Sequence, residues 1–171
     1  STLFPYTTLF RSRTGCDGAG WTGCATQNAA FVGVNTAANT TNRLAVASGA
    51  ILFTHAGAGV QVKLNRNAGG DTASLLFQSA YSGRAEIGCL GSDDFVFKTS
   101  PDGSAFSVGL TLVSAANGVP RIPSAIVAGL PSASDAGAGA LVFVSDAGGG
   151  AVLAFSDGSD WRRSDTSAIV S

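Results

Sequence analysis

The densest cluster of side chains able to do chemistry lies near the end of the chain, in DGSDWRR, where Trp161 and Arg162 follow Asp157 and Asp160. An indole face beside carboxylates and guanidinium groups can stack on a sugar and hydrogen-bond its hydroxyls. Trp161, Arg162, Asp157 and Asp160, with Arg163 next to them, are therefore the candidate ligand-binding residues. The plainer use of the same residues is packing of Trp161 on its own hairpin. Trp21 and Tyr81 are weaker aromatic candidates. Groupings that would suggest catalysis fail on spacing. His55 is the sole histidine, Asp71 lies in a turn that could approach it, and serines are plentiful. A triad, however, needs histidine, carboxylate and hydroxyl within hydrogen-bond reach. No G-x-S-x-G elbow occurs, so His55 reads as a strand-end or hairpin-end residue. Glu86 with Asp93 or Asp94 could suggest glycan hydrolysis by two carboxylates. Consecutive strand residues point to opposite faces, so Asp93 and Asp94 do not pair, and a turn carrying solvated acids is expected. Arg84 and Glu86, two apart on a strand, share a face and read as members of an ion pair, for instance with Asp94 or Lys98. Gly57-Ala58-Gly59 and Gly148-Gly149-Gly150 lack the lysine and helix of a phosphate loop and read as hairpin turns. No catalytic residue, metal ligand set or cofactor is expected.

Composition narrows the class further. Charged residues make up 12% of the chain and the net charge is −1, with only two lysines, Lys63 and Lys98, and one glutamate, Glu86. That balance gives no electrostatic case for nucleic acid or an anionic membrane. Hydrophobic residues make up 45%, which favours a packed structure over disorder. A surface this poor in charge is unusual for a free monomer, so self-association is expected. Cys16, Cys24 and Cys89 are an odd set; Cys16 and Cys24 could pair across DGAGWTG, but reduced thiols are the preferred reading. No apolar run approaches the roughly 20 residues that span a bilayer.

The elements that must position these residues are strands. Short apolar runs alternate with turn residues at Phe31–Val34, Arg43–Ala47, Ile51–Thr54, Val60–Leu64, Ser74–Ser79, Ala85–Gly88, Phe95–Thr99 and Phe106–Val113. A spacing of about 8 to 12 residues between such runs signals an all-β domain. The clearest period-two alternation is Val60-Gln61-Val62-Lys63-Leu64-Asn65. Gly interrupts every Ala-rich stretch, which argues against helix. Pro120, Pro123 and Pro131 mark an extended linker with one short edge strand at Ala125–Ala128. Ala140–Ser145, Ala151–Ser156, Asp160–Arg163 and Ser167–Val170 then form strands, with hairpin-like turns at DAGGG and DGSD. Leu141–Val144 is apolar on both faces, as a strand covered by another chain would be.

The runs VNTAANTTNRLAV, HAGAG, DTASLLFQ, SGRAEIG, DDFVFK and PDGSAF within residues 31–106 resemble the distal part of a phage and prophage tail-fibre family of uncharacterised function. GALVFVSDAGGGAVLAFSDGSDWRR, residues 139–163, is similar to a C-terminal hairpin module of many fibre proteins. The resemblance implies a homotrimeric virion fibre made in the host cytoplasm, bound to a host-surface polysaccharide and joined to other virion proteins through a missing N-terminal part. Two alternatives stand beside it, a purely structural fibre segment and a glycan depolymerase. Residues 1–12, STLFPYTTLFRS, resemble the translation of a sequencing adapter and are set aside from fold reasoning. The expected order is thus the adapter-like 1–12, a Gly-rich linker over 13–29, a β domain over 30–114, a Pro/Gly/Ala-rich linker over 115–139 and a C-terminal β-hairpin module over 140–171. The β domain is expected as short antiparallel strands in a sandwich-like or prism-like arrangement.

Overall fold

The computed structural model describes residues 30–171. The adapter-like segment, the linker over 13–29, Cys16, Trp21 and Cys24 lie outside the described residues. The described part is all-β, with short helical turns only at connections. The chain divides into one unit up to Val60 and another from Gln61.

In the first unit, β1 (Val32–Val34) pairs with β2 (Leu44–Val46). The pairing is parallel, which departs from the antiparallel expectation. Between them Asn39 Oδ1 accepts from the amides of Thr41 and Asn42 at 2.9 and 2.8 Å, so one side chain holds the turn.

Ile51–Thr54 and Val60–Leu64 were expected as strands and are not. Alternation shows which face a segment would bury once paired, but a strand also needs a neighbour for its backbone groups. Neither segment has such a neighbour among the described residues, and Val60, Val62 and Leu64 are all exposed.

The second unit holds two sheets. The larger is an antiparallel meander of β3 (Thr72–Ser79), β4 (Ser82–Leu90), β5 (Phe95–Thr99), β6 (Ser107–Val113) and β7 (Val119–Arg121), in that spatial order. Its register puts the charged strand residues on one face. Leu75, Ile87, Phe97 and Leu110 lie opposite one another across four strands, and Ala73, Cys89, Phe95 and Leu112 form the adjacent row. The other face carries Leu76, Glu86, Lys98 and Val108 in one row and Ser74, Gly88, Val96, Thr111 and Arg121 in the next.

The smaller sheet has the order β11 (Trp161–Arg163), β10 (Val152–Ser156), β9 (Leu141–Val144), β8 (Ser124–Ala125), with β8 parallel to β9 and the rest antiparallel. One face of it is the core: Val142, Val144, Val152, Ala154 and Trp161 pack with Ala133 of the short helix α1 (Ala133–Ala136), Ala147 and Val170. The expected strand Ser167–Val170 is reduced to a single bridge, Arg162 to Ile169.

The short edge strand expected at Ala125–Ala128 forms as β8 over Ser124–Ala125, and segment 115–139 holds further elements beside it. It supplies β7 as the last strand of the larger sheet, β8 as the edge of the smaller one, and α1 as a lid on the core. Its prolines sit where the ladder tolerates them: Pro120 is on an edge strand, and Pro123 only lends its carbonyl, to Phe143 N–H at 2.9 Å.

Candidate functional site

The DGSD turn between β10 and β11 is built by Asp157. Its Oδ1 accepts from the amides of Ser159 and Asp160 at 2.9 and 2.8 Å, which closes the turn and leaves Gly158 at φ 96°. Its Oδ2 accepts from Arg162 Nε, and Arg162 Nη2 lies 3.6 Å from Asp160 Oδ2. The backbone amide of Asp160, then the Arg162 guanidinium and the Ser159 amide, hold the Asp157 carboxyl down at about 2. Arg162 is pushed up by the same pairing. Asp157, Asp160 and Arg162 are thus brought together, but they bond one another.

Trp161 corrects the expectation of an exposed stacking platform. It is 7% exposed and belongs to the core, and Nε1 donates to Pro131 O at 2.8 Å. The register explains why. Trp161 faces Ser156 and Arg163 faces Ala154, both small and both almost fully buried, so the strand opposite leaves room for two large side chains. Arg163 turns inward beside it. Nη1 donates to the carbonyls of Gly148 and Gly150 at 2.7 and 3.2 Å, and Nε and Nη2 fork onto Asp165 at 2.9 and 2.8 Å. Arg163 therefore ties the Gly148–Gly150 turn to β11.

The remaining candidates are scattered over separate local structures. His55 accepts from Gly57 N–H on Nδ1 at 3.0 Å, just ahead of the bend at 56–58 and outside any strand. Glu86 lies opposite Lys98 in the register, yet its carboxylate takes a 2.7 Å hydrogen bond from Ser74 Oγ. Arg84 donates to Gly83 O at 3.2 Å. Asp94 accepts from Ser114 N–H at 2.8 Å and lies 3.9 Å from Arg121. Asp93 pairs with Arg66.

Arg66 was not singled out in the sequence. Its Nη1 donates to the carbonyls of Gly69, Ser92 and Asp71 at 2.8, 2.7 and 3.2 Å. The guanidinium thus joins the approach to β3 to the β4–β5 turn. Only the neighbouring turn residues hinted at such a carbonyl cage. Asp102 plays the corresponding part in the β5–β6 loop. Its Oδ1 accepts from the amides of Ser104 and Ala105 at 2.8 and 3.0 Å and from Ser100 Oγ at 3.1 Å, bonds that hold its carboxyl far below the usual range.

Among the described aromatics Tyr81 is the most exposed, 96% accessible at the tip of the β3–β4 hairpin. Ala80 and Tyr81 have φ of 49° and 65°. A two-residue turn with both central residues left-handed normally takes Asn or Gly. Among the described residues no three His, Cys, Asp or Glu side chains gather as a metal site would require, and no helix is long and apolar enough to cross a membrane. Compared with known families, curated proteins and solved structures, the chain matches none.

Proposed function

We propose that the chain is a non-catalytic segment of a phage or phage-derived virion fibre that works as a homotrimer. One observation carries the reading: the buried apolar cluster is confined to the C-terminal module, while the larger sheet has Val96 as its one buried hydrophobic side chain. A sheet must cover an apolar face against another layer, and copies of the chain would supply that layer. The sparse charge of the sequence and its resemblance to fibre proteins support the same reading. Sedimentation of the full chain at micromolar concentration should give the mass of three copies; a well-folded monomer there would overturn it.

A second reading, attachment to host-surface polysaccharide, is favoured by Tyr81. A flat aromatic held out at a hairpin tip, at a backbone cost of about 1 kcal/mol or more per left-handed residue, is suited to stacking on a sugar. Tyr81→Gly should abolish binding to host cells while raising stability. Unchanged cell binding by this variant would leave the structural reading alone.

A further inference from the structure

We infer that the apolar face of the five-stranded sheet, centred on Leu75, Ile87, Phe95, Phe97 and Leu110, is the surface through which copies of this chain join. The inference rests on the self-assembly reading and names its interface.

Four observations carry it. The face is continuous, because the register aligns Leu75, Ile87, Phe97 and Leu110 in one row, and Phe95 and Phe97 meet edge to face at 5.4 Å. It is open, since Leu75 is 50% and Phe77 52% exposed even though both lie on the sheet. It is neutral: Glu86, Lys98, Asp94 and Arg121 belong to the opposite face, so identical faces can meet without opposing like charges. Its size also suits a partner of this kind. Five strands about 4.8 Å apart, overlapping their neighbours over roughly 10–27 Å, give a footprint on the order of 350 Å². Side chains standing off that plane raise the accessible area toward the roughly 800 Å² that each partner gives to a stable interface. Monomers rarely leave apolar patches beyond a few hundred Å² uncovered.

Cys89 reports on the face directly, because it sits in the row between Ala73 and Phe95 and is a free thiol. The experiment measures two things on the full chain: mass by sedimentation, and the alkylation rate of the Cys89 peptide by mass spectrometry, over a dilution series. The expected result is an assembled protein whose Cys89 reacts at least tenfold more slowly than in the dissociated chain, with protection lost on dilution as the mass falls. Leu75→Ser and Phe97→Ser should shift dissociation to higher concentration and expose Cys89, whereas Leu76→Ser, on the opposite face, should change neither. An assembled protein with fast Cys89 alkylation and indifferent to Leu75→Ser would overturn this interface and leave self-assembly standing. A monomer would overturn both, whether Cys89 is open or is covered by the chain's own residues. Should the variants fail to fold, the wild-type dilution series decides alone.

Discussion

Trp161 has two possible roles with opposite mutational signatures, and its surroundings choose between them. Its ring is enclosed by small neighbours and its N–H is satisfied by Pro131 O. Trp161→Ala should therefore cost about 3–5 kcal/mol, the range for truncating a buried large aromatic. Chemical denaturation of the C-terminal module would show it, and a loss below 1 kcal/mol would mean the ring is not core. Asp157 gives a pH signature at the same turn. Its carboxyl is lowered from 3.8 to about 2 by the Asp160 amide and Arg162, so folding favours the ionised form. The stability it contributes is complete above its ordinary value and disappears as pH falls through its folded value. Melting temperature should hold steady from neutral pH to about 5 and then drop, in part through Asp157. Asp157→Asn should lower the neutral-pH value and shrink the drop without abolishing it, since Asp165 is lowered too, by Arg163. An acid drop unchanged by Asp157→Asn would show that the turn draws nothing from this carboxylate. The site was legible in composition only. An Asp-Gly-Ser-Asp-Trp-Arg string contains the same residues whether Trp161 faces a sugar or the core, and the deciding fact, Ala154 and Ser156 across the ladder, needs the register.

At the scale of elements, the strands from Thr72 to Val113 were readable because each alternating run is fenced by turn residues and finds its neighbour next in sequence. Val60–Leu64 carries the strongest alternation yet has no strand partner among the described residues, because pairing is a property of two segments and the sequence displays one at a time. The prolines of 115–139 mark an extended linker with one short edge strand; the segment also supplies a second, β7, because an edge strand accommodates a residue with no N–H. Turn chemistry was readable where the loop is short and not where a distant side chain closes it. Arg66 is the instance: it bonds Ser92 O from across the sheet edge, with its side chain 14% exposed. Lysine keeps the charge but not the fork. Arg66→Lys should cost about 1–3 kcal/mol, the range for losing hydrogen bonds to a charged group. Hydrogen exchange should show where: amides of the β4–β5 turn and the start of β3 should exchange faster, while those of β10 and β11 stay as they were. A uniform change across both sheets would argue that Arg66 acts on global stability rather than as a local clamp.

At the scale of the whole molecule, the two sheets differ in what holds them. The smaller one has its own buried cluster, closed by α1 and Val170. The larger one has hydrogen-bond ladders and an apolar face that nothing in the described residues buries deeply. Its hydrophobic stabilisation would then come from other copies, and anything that binds only the folded form raises stability with concentration. Calorimetry over a hundredfold range of protein concentration should therefore separate two transitions. The one assigned to the larger sheet, followed by loss of Cys89 protection, should move to higher temperature as concentration rises. The one assigned to the smaller sheet, followed by Trp161 fluorescence in a Trp21→Phe background, should stay fixed, because its core is internal. The reverse order, a concentration-dependent Trp161 transition over a fixed Cys89 one, would place the shared surface on the outer side of β9 and β10, where Leu141, Phe143 and Leu153 are also exposed.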